Sequence, residues 1–311
     1  MQKHNLFNGL SKRLAALFSG LTLLFASGCN SETSQTQSSV ETKPVTGKFY
    51  VTALNVGKAD AFVLQTANTV TVLDAGNKGD GKYIDKLLAA QGIDKIDTLI
   101  ITHFDKDHVG GAARLVNRLK VGTIYLPDYT SESDEYNDFM EKVNEKGITP
   151  DVLTAHTKKS WTDDDVTYQI FAAEQTGYGK NEENDFSICL YAAHGENTYF
   201  FSGDAESARQ TEIMQLGLGQ VDFLKFPYHG NYLQTTEAFL DKFAPKITVV
   251  TCSQKEYADP STVETLQKRG IETYYLCDSG DVTFISDGKT ITTGDPPTGS
   301  GSAADSGDDA E

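Results

Sequence analysis

Thr102-His103-Phe104-Asp105-Lys106-Asp107-His108-Val109-Gly110-Gly111 follows the apolar run Thr98-Leu99-Ile100-Ile101 without a break. Such a run reads as a buried strand, and the glycine pair ahead of Ala112-Ala113-Arg114-Leu115 reads as the opening of a helix. Two imidazoles and two carboxylates therefore converge on one strand-to-helix turn. Crowding them without compensation is costly, because the carboxylates repel and each resists leaving water. A divalent cation removes both costs, so the stretch reads as a metal site. A solvated acidic loop would account for any one of these residues, but hardly for all four at this spacing.

The N-terminal segment reads as an address. Lys3, Lys12 and Arg13 flank the start of an apolar stretch, Leu14 to Phe25, that ends in Ala26-Ser27-Gly28-Cys29. A basic head, a short apolar middle and small residues before a cut mark a secretory signal. The stretch falls short of the ~20 residues that a membrane span needs. Cys29 after Ser27-Gly28 resembles a bacterial lipobox, with Ala26 where leucine is usual. Residues 1–28 are thus expected to be a lipoprotein signal peptide, with Cys29 lipidated. The expected location is the extracellular face of the cell membrane, or the medium if Cys29 is an incidental residue behind an ordinary signal. Residues 29–47, rich in Ser, Thr, Gln and Glu, read as a disordered tether. Residues 291–311 read as a disordered acidic tail. Residues 48–290 between them suit one domain with its own core.

The chain carries 27 basic against 44 acidic residues, a formal net charge of −17. That balance disfavours passive binding to nucleic acid or anionic lipid, although a metal centre can still supply local positive charge to a phosphate. Besides Cys29 there are Cys189, Cys252 and Cys277. A Cys252–Cys277 disulfide and buried free thiols both remain open, since sequence does not fix connectivity.

Strand-like runs recur at Phe49–Leu54, Ala61–Leu64, Val70–Leu73, Thr98–Ile101, Thr123–Leu126, Val166–Phe171 and Ser187–Tyr191. Others follow at Thr198–Phe201, Phe223–Phe226, Ile247–Val250, Glu272–Leu276 and Val282–Ile285. Helical periodicity falls at Tyr83–Ala90, Ala112–Leu119, Tyr136–Lys146, Ala205–Leu216, Thr235–Phe243 and Thr262–Arg269. Several strands are apolar throughout, which implies sheets covered on both faces. The pattern predicts an α/β fold of two mixed sheets packed face to face with helices outside, its element order recurring loosely in the two halves.

Three further residues end apolar runs beside glycine: Asp74 before Ala75-Gly76, Asp204 after Ser202-Gly203, and His229 before Gly230. Singly, each has an ordinary reading as turn former, helix cap or surface imidazole. In this order after the His/Asp cluster they form a pattern, and the chain resembles the metallo-β-lactamase superfamily. More closely, it resembles the hydrolase domain of ComEC-type DNA-uptake proteins and their stand-alone relatives. The matching text is Val56-Gly57-Lys58-Ala59-Asp60, Asp74-Ala75-Gly76, the opening motif, Asn184-Asp185-Phe186-Ser187, Ser202-Gly203-Asp204, and Leu224-Lys225-Phe226-Pro227-Tyr228-His229-Gly230-Asn231.

The resemblance implies the αββα metallo-β-lactamase sandwich. It also implies two divalent ions, zinc or manganese. His103 and Asp105 would hold the first ion, Asp107, His108 and His229 the second, with Asp204 between them. Asp185 is a further candidate ligand, because the first-site histidine usual ahead of Asp204 is missing. Asp60 and Asp74 would stand behind the ligands and orient them. His194, at a strand end before Gly195, reads as exposed. Asp107, His229 and Tyr228 are the candidate catalytic residues, Tyr228 or Asp259 serving the leaving group. The chain departs from the pattern at Lys58, Ala59, Tyr228 and Ala258-Asp259-Pro260, all around the expected substrate mouth.

An imidazole and carboxylate ligand set suits zinc, manganese or iron. Counting two dications against Asp105, Asp107 and Asp204 leaves a positive surplus, which favours an anionic small-molecule or nucleic-acid substrate. The expectation is a phosphodiesterase using a metal-bound hydroxide. Two alternatives stand beside it: a hydrolase of carboxylic bonds such as lactones or β-lactams, and a catalytically altered module that binds an extracellular partner. The sequence identifies no protein partner.

Overall fold

The computed structural model describes residues 47–179 and 183–297. The expected signal peptide, Cys29, nearly all of the tether and the last part of the acidic tail lie outside them. No helix among the described residues is long and apolar enough to cross a membrane.

Continuous apolar runs become strands buried on both sides. The N-terminal half supplies β1 (Phe49–Ala53), β2 (Ala61–Gln65), β3 (Val70–Ala75), β4 (Lys95–Ile100), β5 (Lys120–Pro127) and β6 (Asp151–Leu153). The C-terminal half supplies β7 (Lys158–Asp163), β8 (Val166–Phe171), β9 (Cys189–His194), β10 (Asn197–Phe201), β11 (Phe223–Lys225), β12 (Ile247–Val250) and β13 (Glu272–Tyr275). Two last strands, β14 (Val282–Ser286) and β15 (Ile291–Gly294), cross back to the first sheet. The helices are α1 (Asp80–Ala90), α2 (Lys106–Val109), α3 (Ala112–Arg118), α4 (Asp134–Glu145), α5 (Ser207–Ile213), α6 (Thr236–Phe243), α7 (Pro260–Lys268) and α8 (Leu276–Ser279).

One sheet runs β15-β14-β1-β2-β3-β4-β5-β6 and the other β13-β12-β11-β10-β9-β8-β7. Each begins antiparallel and turns parallel, from β3 to β6 in one and from β10 to β13 in the other. This is the loose repetition visible in the element order. Alternation along each strand then sorts the side chains into layers. Ile100, Tyr199 and Phe201 point into the core between the sheets, where Phe62 meets Phe201 edge-on at 5.3 Å. Leu99 faces outward beneath Ile84, Leu115 and Phe139 of α1, α3 and α4. Phe200 faces the opposite way, under Ile213, Phe243 and Leu266 of α5, α6 and α7. Truncating a buried ring such as Phe201 costs about 3–5 kcal/mol.

The architecture is the expected one, with corrections. β15 pairs with β14 through Ser286↔Ile291, so the fold runs past the expected boundary at residue 290 and the tail expected at 291–311 begins with a strand. Ile291 is the sole apolar residue of that strand, and backbone pairing on an edge supplies what the side chains do not advertise. The polar alternation of Lys158-Lys159-Ser160-Trp161 likewise hid β7. His194 is not exposed. It is buried, its Nδ1 is 2.7 Å from Ser286 Oγ, and its turn packs onto the β14–β15 turn through a Glu196 N–H to Gly288 carbonyl bond of 2.7 Å.

In both sheets the parallel strands present their C-terminal ends on the same side as the chemistry. Asp74, His103, Asp204, His229 and Thr251 all lie at or just past such ends, where open α/β sheets place ligands.

Candidate metal centre

The centre starts from an awkward piece of backbone. Asp74 ends β3 with φ 56°, a left-handed conformation that non-glycine residues adopt at a cost. There its carboxylate accepts from Thr102 N (2.8 Å), Thr102 Oγ1 (2.7 Å) and His108 Nδ1 (2.8 Å). One buried carboxylate thereby fixes both ends of the motif after β4. Close approach of the chain requires Gly111, since a Cβ there would fall 2.2 Å from the Ala75 carbonyl oxygen.

These bonds decide the imidazoles. His108 Nδ1–H donates to Asp74. The Thr102 hydroxyl hydrogen is committed to Asp74, so His103 Nδ1–H donates to Thr102 Oγ1 at 3.1 Å. On the other sheet, His229 Nδ1–H lies 3.0 Å from the Thr251 carbonyl and 2.9 Å from Thr251 Oγ1, and Thr251 Oγ1 donates to Asp60 Oδ1 at 2.6 Å. With every Nδ1 occupied, Nε2 is the atom left to offer a lone pair on each ring when that ring is neutral. All three Nε2 atoms are buried and none makes a hydrogen bond.

The three Nε2 atoms meet carboxylates instead. Asp204 Oδ2 lies 2.8 Å from His229 Nε2 and 3.3 Å from His108 Nε2. Asp107 Oδ2 is 3.3 Å from His229 Nε2, and Asp105 Oδ2 is 3.7 Å from His103 Nε2. Orphaned, buried imidazole nitrogens facing carboxylate oxygens are what a divalent cation satisfies. The residues present fit the group.

Potential ligand atoms of Asp60, His108, Asp204 and His229 fall within 4.8 Å of one another. Asp60 nonetheless stands behind the centre. It approaches the imidazoles on their Nδ1 sides, at 3.6 and 3.9 Å, and spends its oxygens on Thr251 and Lys225. That placement suits a group that orients the imidazoles, as Asp74 does through His108. Asp107 lies on the Nε2 side, where a ligand would stand.

Lys225 is the residue that sequence reasoning passed over. Its ammonium, wholly buried, reaches Asp60 Oδ2 at 2.5 Å, Asp204 Oδ1 at 3.0 Å and the Gly203 carbonyl at 2.7 Å. One oxygen of Asp204 is thus held by Lys225 and the other faces the imidazoles. A lysine inside the apolar run Phe223–Phe226 was the available signal. Glu183 was missed too. It lies in the field of Asp105 and His103 and close to Tyr129, whose hydroxyl oxygen accepts Phe104 N–H at 2.6 Å.

Asp185 has a structural role in the fold. Its Oδ1 accepts from Glu206 N (2.9 Å) and Arg209 N (3.1 Å) and so caps α5. Asn184 donates to Glu206 Oε1 at 2.8 Å. Asp259 accepts from Tyr232 N at 2.8 Å and shapes the loop after His229. Tyr228, by contrast, is half-buried at the mouth with φ 50°, next to His229 at φ 52°.

Electrostatics follow from this crowding. Burial alone would lower the His108 and His229 pKa values, but Asp204 overrides it, helped by Asp74 and Asp60 at His108 and by Asp107 at His229. The first rises well above its ordinary value and the second to about 9. Burial would raise Asp107 and Asp204, yet the imidazoles, joined at Asp204 by Lys225, hold both below the usual carboxylate range. Burial and then the charges of Glu206, Asp204, Asp105 and Asp107 raise Tyr228, so its hydroxyl keeps its proton.

The family model for the metallo-beta-lactamase superfamily matches residues 54–253, which hold the whole centre from Asp60 to Thr251. The chain belongs to that superfamily. It is 24% identical over 213 residues to ComE operon protein 3 of Bacillus subtilis (strain 168), covering 65% of this chain and 26% of the relative. Recombination protein 2 of Haemophilus influenzae is 24% identical over 206 residues, covering 65% and 24%. The chain spans about a quarter of the length of these relatives. Among solved structures, CmlA, a diiron beta-hydroxylase from Streptomyces venezuelae, overlaps with a TM-score of 0.47 at 13% identity, over 78% of this chain and 55% of that one. The short form of human tRNase Z overlaps at 0.41 and 13% identity, over 69% and 96%. Overlaps at this level carry no activity across.

Proposed function

We propose that this superfamily member is a metal-dependent hydrolase of phosphodiesters, carried to the extracellular face of the membrane by lipidated Cys29. The observation that carries the hydrolase reading is the convergence of the unpartnered His108 and His229 Nε2 atoms on Asp204, with the unpartnered His103 Nε2 facing Asp105 beside them. His108, His229, Asp107 and Asp204 would hold one divalent ion, and His103, Asp105 and Asp204 a second. Such ions, when bound, activate water and polarise a phosphoryl oxygen.

The chain's own residues do the rest. Asp74 and Thr251 lock the imidazole tautomers, so that each ring offers its lone pair without rearrangement. Lys225 keeps Asp204 turned towards the imidazoles. Tyr228 stands among the site carboxylates with its proton held in place, suited to protonating a leaving alkoxide. The oxygen-rich ligand set, free of thiolate, suits manganese as well as zinc.

Charge alone does not select the substrate. The structure adds Asp60, Asp74 and Lys225 to the count, and with two dications the whole set is neutral, not positive. A phosphodiester, including a nucleic-acid strand, would be held by local placement at the mouth, and its support is the ComEC-type order of motifs. The chain's strong negative charge argues against tight, non-specific strand binding.

Hydrolysis of bis(p-nitrophenyl) phosphate with manganese, set beside a chromogenic cephalosporin and a lactone panel, tests the reading. Phosphodiester turnover lost in His108→Ala supports it; cleavage confined to the carboxylic substrates replaces it with the second reading. Cys29→Ser should release the chain into the medium, and unchanged membrane association would contradict the anchor.

A further inference from the structure

Thr251, which holds His229, is followed directly by Cys252, and the Cys252 Sγ lies 3.1 Å from Cys277 Sγ. Cys252 is buried past the end of β12, while Cys277 sits half-buried on α8, just beyond the edge strand β13. The two segments are already tied together. Gln254 Nε2 donates to the Cys277 carbonyl (3.0 Å) and to Asp278 Oδ1 (2.7 Å). The Tyr257 hydroxyl donates to Asp278 Oδ2 (2.7 Å), and its ring stacks on Tyr275 at 5.1 Å. A covalent link at the sulfurs would fasten the strand end that carries Thr251 to the margin of the sheet.

We propose that Cys252 and Cys277 form a disulfide that braces Thr251, and through it His229, at the metal centre. The crosslink stands on the cysteine geometry alone, whereas the bracing rests on the metal-centre reading above. In forming it, two S–H bonds are lost and one S–S bond is made. Two protons and two electrons pass by exchange to an external small-molecule or protein disulfide, which leaves as two thiols. The bond closes a loop of about 25 residues and so restricts the unfolded chain. Burial and the Cys252 hydrogen bond hold the Cys277 thiol up to about 12, so thiolate is scarce at this pair in the folded, reduced chain.

The full chain, refolded in a glutathione redox buffer, alkylated and digested with trypsin without reduction, gives the direct readout. The expected product is peptide 247–255 linked to peptide 270–289, lighter than the two free peptides by two hydrogens. Recovery of both peptides only in alkylated form would overturn the crosslink. Manganese affinity is then compared for the oxidised chain, the phosphine-reduced chain and Cys277→Ser. Reduction and the variant should each weaken it by about 10-fold, in the range of losses at groups that orient ligands. Equal affinities with the linked peptide present would overturn the bracing. Manganese bound by none of the three would defeat the metal-centre reading, leaving the digest to decide the crosslink.

Discussion

His108 and His229 each have Nδ1 tied to a buried acceptor and Nε2 aimed at Asp204, whereas His103 leans on a hydroxyl and faces Asp105, whose side chain is 44% exposed. The two sides of the centre are therefore built to different standards. On the His108–His229 side the ligands come from both sheets, and the groups behind them, Asp74, Thr251, Asp60 and Lys225, are all buried. On the His103 side the superfamily's extra histidine is gone, Asp185 serves as a helix cap, and Glu183 lies nearby through Tyr129. On the proposed reading, the first side would hold an ion firmly and the second would hold one exchangeably.

Removing His229 is the harshest way to break the comparison. His229→Ala should cost at least about 100-fold in retained metal, more than a loss among the orienting groups, and abolish hydrolysis, while His103→Ala should strip only the weaker ion. Metal content after dialysis separates the two. Equal losses would show that the sides do not differ.

Lys225→Met comes next, and is read in stability. It leaves Asp60 and Asp204 buried without their cation, and removal of one partner from a buried pair costs about 3–5 kcal/mol. Denaturant unfolding of the chelated chain measures this, and added manganese should recover part of the loss.

A pH series sharpens the account of the imidazoles. In the chelated chain His229 binds its proton up to about 9, above its unfolded value. The stability this contributes is fully present below about pH 6.5 and is lost as pH rises through about 9. Asp107 and Asp204, held low, contribute stability that is lost only on acidification, outside that window. Thermal melts between pH 6 and 10 should therefore fall with pH for the chelated chain and flatten with metal, because the bound imidazole is neutral.

The smallest expected effect belongs to Asp185→Ala. Loss of a helix cap costs about 1 kcal/mol, and metal content should not move. A drop in metal content would restore Asp185 as a ligand.

The same contrast explains what could be read from the sequence. The opening motif packs two imidazoles and two carboxylates into the six residues from His103 to His108, so local chemistry alone exposed it. The remaining groups are spread to His229 and Thr251, and only the order of strand ends connected them. Continuous apolar strands made the two-sheet sandwich legible, while β7 and β15, polar and at or near sheet margins, gave no hydrophobic signal. Lys225 lies within a matching motif, yet a cation in an apolar strand shows its purpose only when Asp60 and Asp204 close on it from beside the ends of other strands. The exposed reading of His194 failed for a related reason, since its partner Ser286 is far along the chain, as are the α5 N–H groups that Asp185 caps.

Metal titration of the full chain by calorimetry, with manganese and with zinc, tests the central claim most directly. One tightly held ion that disappears in His229→Ala, followed by a weaker one that disappears in His103→Ala, is the predicted result. A chain that binds neither ion, with its fold intact by circular dichroism, would contradict it.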